Sequence, residues 1–433
     1  MDGTAAHPGK NFSKDDIARA AALAASGDDA SRVAFRVYQD PAIYAAELER
    51  VFYGPTWNYV GLAAEVPNIG DWRRNMIGER EVLLVRKSET EFSVLPNVCA
   101  HRGAQICQAL KGNTEKAFMC PYHQWTYDHD GKLIGVPFRR GVKGNGGMPA
   151  DFELSDYNLP ALRVAEINGV IFASYDAATP PLDDYLGDDM KHYFTRVFDG
   201  RKLRIVGHHR QMIDCNWKLQ MENLKDPYHA GLLHLFLVTF GLFRLDQKSA
   251  TVLDDTGGHS ALTARRSSPD EHVGNDEIAS YTPDYALEDP TLLEPVMEFD
   301  DEMTLAIQTV FPSIIVQAQS NTLATRHVIP KGVGRHELIW TFFGYEDDDA
   351  DRHELRLRQA NLMGPAGYVT LDDAEALEIS QRGVDSAPPD NEAVLVLDGD
   401  NIGSTDHLVT EAPIRGFHKQ YRDLMGREIA NAL

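Results

Sequence analysis

Two short segments that each contain one cysteine and one histidine constrain this 433-residue chain more than any other feature. The first is Cys99-x-His101 and the second is Cys120-x-x-His123, with eighteen residues between the two segments. Two cysteines on one iron and two histidines on the other form the ligand set of one kind of dinuclear iron–sulfur centre. Two hairpin loops that each present one Cys and one His can hold such a centre from both sides.

The same four residues could bind a structural zinc ion, because two Cys and two His also form a tetrahedral zinc set. Zinc sites usually pair like with like, as C-x-x-C and H-x₃₋₅-H, whereas both segments here mix the two residue types. Cys107 and Cys215 have no Cys or His at ligand spacing, and we predict that they are buried small residues. Four cysteines make no disulfide framework, which favours a reducing compartment, the cytoplasm.

A second set of potential metal ligands lies further along the chain. His229 and His234 are five positions apart, which on a regular helix would separate them by roughly 140°. Both can bind one metal only if the helix is distorted between them, and Gly231 is where distortion would be easiest. Asp226 lies one turn before His229, where it can orient that imidazole.

A mononuclear non-haem iron needs a carboxylate beside two histidines, so the third ligand must come from elsewhere in the chain. Asp372 and Asp373 are the candidates. Taken alone, these two acids would be read as helix-capping residues, and the two histidines as core or capping residues. Their occurrence together with the Cys/His segments favours the metal, because an electron relay and an oxygen-binding iron in one chain form a coherent redox enzyme.

The pattern of apolar residues divides the chain into three parts. Short strands separated by turns occupy residues 57–165 and predict a small all-β domain. In the rest, strand patterns are grouped apart from helical patterns, which predicts an α+β domain rather than a βαβ repeat. Helices are predicted at 13–27, 43–52, 217–237, 351–362 and 371–382, and further strands at 305–319, 322–329 and 337–345. We predict an N-terminal helical segment 1–56 that packs on the catalytic domain, the all-β domain 57–165, and the catalytic domain 166–433.

Charge and motif content exclude several classes of partner. With 42 Lys and Arg against 65 Asp and Glu, the formal charge is −23, which disfavours nucleic acid and anionic membrane surfaces. We find no signal peptide and no apolar run long enough to cross a bilayer. No nucleotide or flavin fingerprint follows a strand, so the chain must receive electrons from a separate protein.

The motifs together resemble the α (large) subunit of the Rieske non-haem iron aromatic-ring-hydroxylating oxygenases, over nearly the whole chain from about residue 32. The resemblance implies an all-β Rieske domain followed by a catalytic domain of helix-grip type, with an antiparallel sheet flanked by helices. The implied ligands of a [2Fe–2S] cluster are Cys99, His101, Cys120 and His123, and those of a mononuclear Fe(II) are His229, His234 and Asp373. One departure is that Glu222 and Asp226 are four apart, one fewer than in the naphthalene-type members.

The resemblance also implies roles and partners. Asn223 and Asp226 become candidate catalytic residues, and Asp226 would connect His123 of a neighbouring subunit to His229. Electrons would come from a ferredoxin and an NAD(P)H-dependent reductase. The chain would assemble as an α₃ trimer, or as α₃β₃ with a small β subunit.

Four stretches indicate a branch within that family. Residues 135–142, 143–149, 225–229 and 405–411 are similar to salicylate hydroxylase large subunits and, less closely, to anthranilate and terephthalate dioxygenases. This implies hydroxylation of an aromatic carboxylate with dioxygen, with one hydroxyl added in salicylate-like chemistry and two in anthranilate-like chemistry. A buried carboxylate needs a cation or several hydrogen-bond donors. The candidate substrate contacts are Arg326, Arg415, Gln317 and Gln319.

Overall fold

The structure, a computed structural model, describes residues 12–27, 29–240, 247–265, 278, 281, 288 and 296–427. Its helices are α1 Lys14–Ala25, α2 Arg36–Gln39, α3 Pro41–Glu47, α4 Leu182–Val197, α5 Trp217–Asn223, α6 Ala230–Leu233, α7 Leu235–Thr239, α8 Ala350–Met363, α9 Tyr368–Ser386 and α10 Ala412–Gly426. Its strands are β1 Arg32–Ala34, β2 Asn58–Leu62, β3 Asp71–Ile77, β4 Arg80–Arg86, β5 Phe92–Pro96, β6 Lys111–Asn113, β7 Phe118–Met119, β8 Thr126–Tyr127, β9 Leu133–Gly135, β10 Arg163–Ile167, β11 Val170–Ser174, β12 Leu203–Ile213, β13 Ser249–Leu253, β14 Ser260–Arg265, β15 Met303–Val310, β16 Ile314–Gln319, β17 Thr322–Pro330, β18 His336–Tyr345 and β19 Glu392–Val394. A π-helical turn, Leu48–Phe52, follows α3 directly.

The chain forms two units whose boundaries differ from those predicted from the sequence. The small unit is Tyr53–Thr179, and the large unit combines Met1–Phe52 with Pro180–Leu433. A boundary at residue 165 would cut through strand β10. That strand forms a hairpin with β11, and β11 pairs with β2 near the start of the small unit, so the whole hairpin belongs there.

The small unit consists of three antiparallel sheets with the strand orders β5-β4-β3-β6, β10-β11-β2 and β7-β8-β9. The prediction of an all-β domain is confirmed. Its core includes Trp72, Leu83, Leu95 and Tyr127, together with Cys99 and Cys120. Each cysteine lies in a turn beyond the end of a strand, β5 for Cys99 and β7 for Cys120, which brings both loops to the same core.

The large unit is built on a seven-stranded antiparallel sheet with the order β12-β18-β17-β16-β15-β14-β13. Grouped strands and grouped helices confirm the α+β prediction. The strand predicted over 305–319 is two strands, because the chain turns at Phe311-Pro312-Ser313 between β15 and β16. All nine residues of β17 are buried. In the part of the chain that the structure describes, no helix combines the length and the apolar character that a bilayer span requires.

The helix predicted over 217–237 is three short helices instead. Helix α5 ends at Asn223, and Pro227, which lacks an N–H donor, lies in the irregular segment that follows. Helices α6 and α7 are separated by His234, whose backbone is non-helical (φ −86°, ψ 59°). The expected distortion between the two histidines is therefore present, but it falls on His234 rather than on Gly231.

A buried ion pair fixes the position of α5. The Lys218 ammonium donates to Glu47 Oε1 at 2.6 Å and to Asn216 Oδ1 at 2.8 Å. Glu47 also accepts hydrogen bonds from Trp217 Nε1 at 2.8 Å and from the Tyr421 hydroxyl at 2.7 Å. Both charged side chains are 0% exposed. Helices α3, α5 and α10 therefore meet at one satisfied polar cluster inside an apolar core.

Removing one partner of this ion pair should destabilise the large unit strongly. We expect Lys218→Met or Glu47→Gln to lower the free energy of unfolding by about 3–5 kcal/mol, because each leaves an uncompensated buried polar group. The double variant should lose less unfolding free energy than the two single variants lose together. Denaturant unfolding of the four proteins checks this, and strictly additive effects would contradict it.

Candidate metal centres and the adjoining pocket

Two imidazoles and one carboxylate converge in the large unit. The ligand atoms of His229, His234 and Asp373 all lie within 4.8 Å of one another. Asp373 Oδ1 lies 3.4 Å from His229 Nε2 and 3.2 Å from His234 Nε2. Two histidines and one carboxylate that leave other positions open form the ligand set of non-haem Fe(II) oxygenases, so these residues fit such an iron.

The outer nitrogen of each histidine faces a second carboxylate. His229 Nδ1 lies 3.2 Å from Asp226 Oδ2, and His234 Nδ1 lies 3.4 Å from Asp372 Oδ2. Carboxylates in this position fix the tautomer and the orientation of metal-binding imidazoles. The sequence left open whether Asp372 or Asp373 is the third candidate ligand. In the structure Asp373 faces the inner nitrogens of both histidines, whereas Asp372 lies behind His234.

Helical periodicity explains why adjacent acids differ so much. The buried residues of α9 recur every three to four positions and include Thr370, Asp373, Leu377 and Gln381. Asp373 lies on this inward face, whereas the side chain of Asp372 is 31% exposed. Gly367 allows the close approach of α8 and α9, because a Cβ there would lie 1.9 Å from the main-chain oxygen of Leu362.

The electrostatics of the centre already favour a bound cation. Burial alone would raise the pKa of Asp373, but hydrogen bonds with His229 and His234 hold it well below its usual range. Burial disfavours protonation of His229, yet Asp226 and Asp373 outweigh burial and raise the pKa of this imidazole to about 10. Burial raises the pKa of Asp372. A metal would take the place of the protons that these anions attract.

Asn223 and Asp226 flank the centre. Asn223 Nδ2 donates to Asp373 Oδ1 at 3.0 Å and lies 3.4 Å from His229 Nε2. Asp226 accepts a hydrogen bond from the backbone N–H of Tyr228 at 2.9 Å and keeps 23% of its side chain exposed. Asn223 thus holds the carboxylate ligand, and Asp226 faces both an imidazole and the exterior of the chain.

A pocket adjoins the metal centre. Strands of the sheet line one side of it, helices and two irregular segments line the rest, and the lining is mostly apolar with a few polar groups. From the sheet it is lined by Leu262, Leu305, Ile307, Gln319 and Arg326, and from elsewhere by Leu224, Pro227, Ala230, Leu237, Val369 and Leu408, in addition to Asn223, Asp226 and the three residues of the centre. A mostly apolar pocket with a few convergent polar groups is typical of a small-molecule site.

The four predicted substrate contacts do not lie together. Arg326 and Gln319 line the pocket. Gln317 lies behind them, donating to Gln319 Oε1 at 2.9 Å and accepting from Arg326 Nη2. Arg415 does not line the pocket, which contradicts the predicted contact with substrate. Its guanidinium is buried and donates to main-chain carbonyls of residues 395–401.

The small unit brings the four Cys and His residues together at one end. Cys99 and Cys120 are 2% and 1% exposed, whereas His101 is exposed and His123 is half-buried. The two imidazole rings lie 4.7 Å apart between centroids. The cysteines thus line the inner side and the histidines the outer side, which fits an asymmetric [2Fe–2S] cluster with its histidine-bound iron near the surface.

Distances argue against a single zinc ion here. Among the described residues, His229, His234 and Asp373 are the one group whose ligand atoms all lie within single-ion range. No three of the Cys and His residues in the small unit approach one another that closely, as expected if they surround two irons and two sulfides rather than one ion.

Two aromatic residues that the sequence analysis did not single out support the cluster loops. The Tyr127 hydroxyl lies 3.3 Å from Cys99 Sγ and accepts from the backbone N–H of Ala100 at 3.1 Å. Trp125 stacks on His101, with 4.6 Å between ring centroids and 7° between planes. Because the Tyr127 hydroxyl must donate elsewhere, Cys99 sulfur is its natural acceptor. Their position directly after Cys120-x-x-His123 is the only sequence signal.

Comparison with known proteins gives matches over both units. The chain matches the model of the ring hydroxylating alpha subunit (catalytic domain) over residues 191–427 and that of the Rieske [2Fe-2S] domain over residues 56–145. The large oxygenase component of salicylate 5-hydroxylase from Ralstonia sp. is 47% identical over 409 residues, which span 92% of this chain and 96% of that protein.

Other relatives are nearly as similar. The large subunit of anthranilate 1,2-dioxygenase from Burkholderia cepacia is 43% identical, covering 92% of this chain and 94% of that protein. The terephthalate 1,2-dioxygenase terminal oxygenase component subunit alpha 2 from Comamonas sp. is 41% identical, covering 92% and 96%. The structure of naphthalene 1,2-dioxygenase from Rhodococcus sp. bound to indole superposes with a TM-score of 0.76 at 26% identity, covering 95% of this chain and 98% of that chain.

The two adjacent acids of α9 provide a matched test of the metal centre. We expect Asp373→Asn to lose the mononuclear iron, because only two imidazoles remain, whereas Asp372→Asn should keep all three ligands and weaken iron binding by only about 10- to 100-fold. Metal analysis per chain measures both, with the visible absorption of the cluster as the internal control. Retention of iron by Asp373→Asn and its loss from Asp372→Asn would reverse the assignment.

The Tyr127 hydroxyl should raise the reduction potential of the cluster. A donor to a ligand sulfur stabilises the reduced, more negative state, so Tyr127→Phe should lower the potential by about 40 mV if the hydrogen bond contributes about 1 kcal/mol. A potentiometric titration followed by electron paramagnetic resonance measures the shift. Tyr53→Phe is the control, since that side chain contacts no cluster residue. Equal potentials in wild type and Tyr127→Phe would show that the hydroxyl donates elsewhere.

Proposed function

The chain belongs to the family of Rieske ring-hydroxylating oxygenase α subunits, and we propose that it is the large subunit of a terminal oxygenase that hydroxylates an aromatic carboxylate with dioxygen. The relatives named above act, by their names, on salicylate, anthranilate and terephthalate. All three compounds are benzene rings that bear a carboxylate. The proposed substrate is a salicylate-like acid.

A buried cation in the wall of the pocket carries this proposal. Arg326 is 3% exposed, and among the described residues no carboxylate lies within ion-pair distance of its guanidinium. Its Nε has no hydrogen-bond partner there, and the group lies 4.0 Å above the ring of Trp340. Burial lowers the pKa of Arg326 to about 10, which leaves it charged at neutral pH.

An unpaired buried cation is costly, and a bound carboxylate would offset that cost. The pocket that Arg326 lines also contains His229, His234 and Asp373. Gln319 offers an amide beside it, and Gln317 holds both side chains through its two hydrogen bonds. An acid whose carboxylate binds Arg326 would therefore have its ring within the apolar part of the pocket, next to the metal centre.

The proposed role of each group of residues follows from its position. His229, His234 and Asp373 would hold the iron, and Cys99, His101, Cys120 and His123 the cluster; when bound, the cluster supplies single electrons and the iron binds dioxygen. Leucine and isoleucine side chains of the pocket exclude water and orient the ring. Asn223 holds Asp373 in place through its 3.0 Å hydrogen bond.

We assign the entry of electrons to Asp226. Its carboxylate lies 3.2 Å from His229 Nδ1 and is partly exposed, so a histidine of another copy of this chain could reach its outer side. The expected donor is His123 of a neighbouring subunit in a trimer, with or without a β subunit. Ferredoxin and an NAD(P)H-dependent reductase would deliver the electrons in the cytoplasm.

The number of oxygen atoms added distinguishes two versions of the proposal. One hydroxyl corresponds to the salicylate 5-hydroxylase relative, and two correspond to the anthranilate and terephthalate dioxygenase relatives, which are only slightly less similar. The residues of the centre are compatible with both reactions. Product mass therefore has to decide between them.

A single turnover tests the function and the role of Arg326 together. Chemically reduced protein that carries both metal centres meets dioxygen with salicylate, anthranilate, terephthalate or naphthalene, and mass spectrometry identifies the products. We expect a hydroxylated product from at least one acid and none from naphthalene. Arg326→Gln should lower kcat/KM for that acid at least about 30-fold, since truncating one partner of a buried charge pair costs ~2–5 kcal/mol.

The control variant is Arg210→Gln. Arg210 lies on strand β12 and is half-exposed, where it pairs with Glu337. Unchanged turnover in this variant separates the effect of Arg326 from a general effect of lost positive charge. Product from naphthalene alone would keep the oxygenase but reject the aromatic acid and the role of Arg326.

A further inference from the structure

One wall of the pocket is supplied by a segment that belongs to neither the sheet nor the helices. Residues 395–411, here called the wall segment, connect strand β19 to helix α10. Its contribution to the pocket is Leu408, which also packs against the apolar cluster that contains Leu237 and Val369. Apart from Pro227, which lies between α5 and α6, every other apolar residue of the lining lies on or directly beside a helix or strand.

Arg415 holds the base of the wall segment. Its Nε donates to the main-chain oxygen of Asn401 at 2.8 Å, and its Nη1 donates to those of Leu395 and Leu397 at 3.1 and 3.0 Å. The side chain is 0% exposed. A planar guanidinium can reach three carbonyls at once, which a lysine ammonium on a flexible stem does less well.

Further hydrogen bonds fix both sides of Leu408. On one side, Thr405 pairs with Thr251 of strand β13 through two main-chain hydrogen bonds of 2.8 and 2.9 Å. On the other side, the Thr410 hydroxyl donates to Asp398 Oδ2 at 3.0 Å. Leu408 therefore lies between two anchored positions, and its backbone cannot move far from the pocket.

The neighbouring residue has the opposite environment. Val409 is 58% exposed and does not line the pocket, whereas Leu408 is partly buried and does. Two adjacent apolar residues thus differ in whether their side chains line the pocket. The chain offers a matched pair in which only one member should affect what the pocket accepts.

We propose that Leu408 is a specificity-determining residue that limits the size of the aromatic acid, and that Arg415 is a positioning residue that acts through it. This inference rests on the proposed function. Truncating Leu408 changes the volume of the pocket without touching the sheet, the metal ligands or Arg326. Truncating a lining residue of the sheet would also disturb the packing of the strands that carry Gln319 and Arg326.

Competition between two acids tests the proposal. Reduced protein with both metal centres receives equal concentrations of salicylate and 3-hydroxy-2-naphthoate, which is salicylate with a second fused ring. The product ratio gives the ratio of kcat/KM values. We expect Leu408→Ala to raise the share of bicyclic product at least about tenfold relative to wild type, because space for even one methylene in an apolar pocket is worth about that much. Val409→Ala should leave the share unchanged. Calorimetry on the resting protein should show the same change in the ratio of the two Kd values.

Arg415→Lys should shift both ratios in the same direction by a smaller factor, with unchanged iron content. An unchanged product ratio in Leu408→Ala, with both metal centres present and wild-type turnover of salicylate, overturns the inference and leaves the proposed function intact. Wild-type protein that converts neither acid overturns both. If Arg415→Lys fails to fold, Leu408→Ala still decides the question.

Discussion

A charged pair that solvent does not reach fixes helix α5, which leads into the segment that contains the two proposed histidine ligands. Lys218 and Glu47 are 171 positions apart in the chain and fully buried. Such a pair contributes little net stability, because desolvation of both charges offsets their attraction, but an unpaired member would be very costly. Lys218 reaches its acceptors only when α5 lies in one place against α3. Asn223, which donates to Asp373, the proposed carboxylate ligand, is then positioned about one and a half turns further along the same helix.

Helix α10 extends this constraint to three other parts of the large unit. Its Tyr421 bonds Glu47, its His418 lies 3.0 Å from Glu222 next to Asn223, and its Arg415 holds the wall segment. Three polar side chains on the buried face of one helix therefore connect the N-terminal segment, the metal-binding segment and the pocket wall. None of these bonds is local in sequence, and each satisfies a group that would otherwise be buried without a partner.

The sequence could predict what depends on residue type and spacing, and little that depends on distant packing. The Cys/His segments and the two histidines indicate metal binding by residue type alone. The five-residue spacing of His229 and His234 correctly predicts a broken helix. The spacing could not show that the break falls at His234, because Pro227 and the tertiary contacts also determine where the helix is interrupted. The choice of Asp373 over Asp372 was within reach, since the apolar periodicity of α9 places Asp373 on the inner face.

Arg326 and Arg415 show where local reasoning ends. Both are buried arginines in apolar surroundings, and nothing in their neighbouring residues distinguishes them. The difference lies in what the fold brings to each guanidinium: three main-chain carbonyls for Arg415, and one glutamine and an aromatic ring for Arg326. Arg415 lies away from the pocket and donates to main-chain carbonyls, so it serves the backbone, whereas Arg326 lines the pocket with an Nε that has no partner among the described residues and can serve a ligand. Because Arg326 lies on strand β17, whereas His229 and His234 flank helix α6 and Asp373 lies on α9, the proposed recognition of the acid and the proposed oxygen chemistry belong to separate elements. A change in the pocket wall can therefore alter which acid is accepted while the iron site stays as it is.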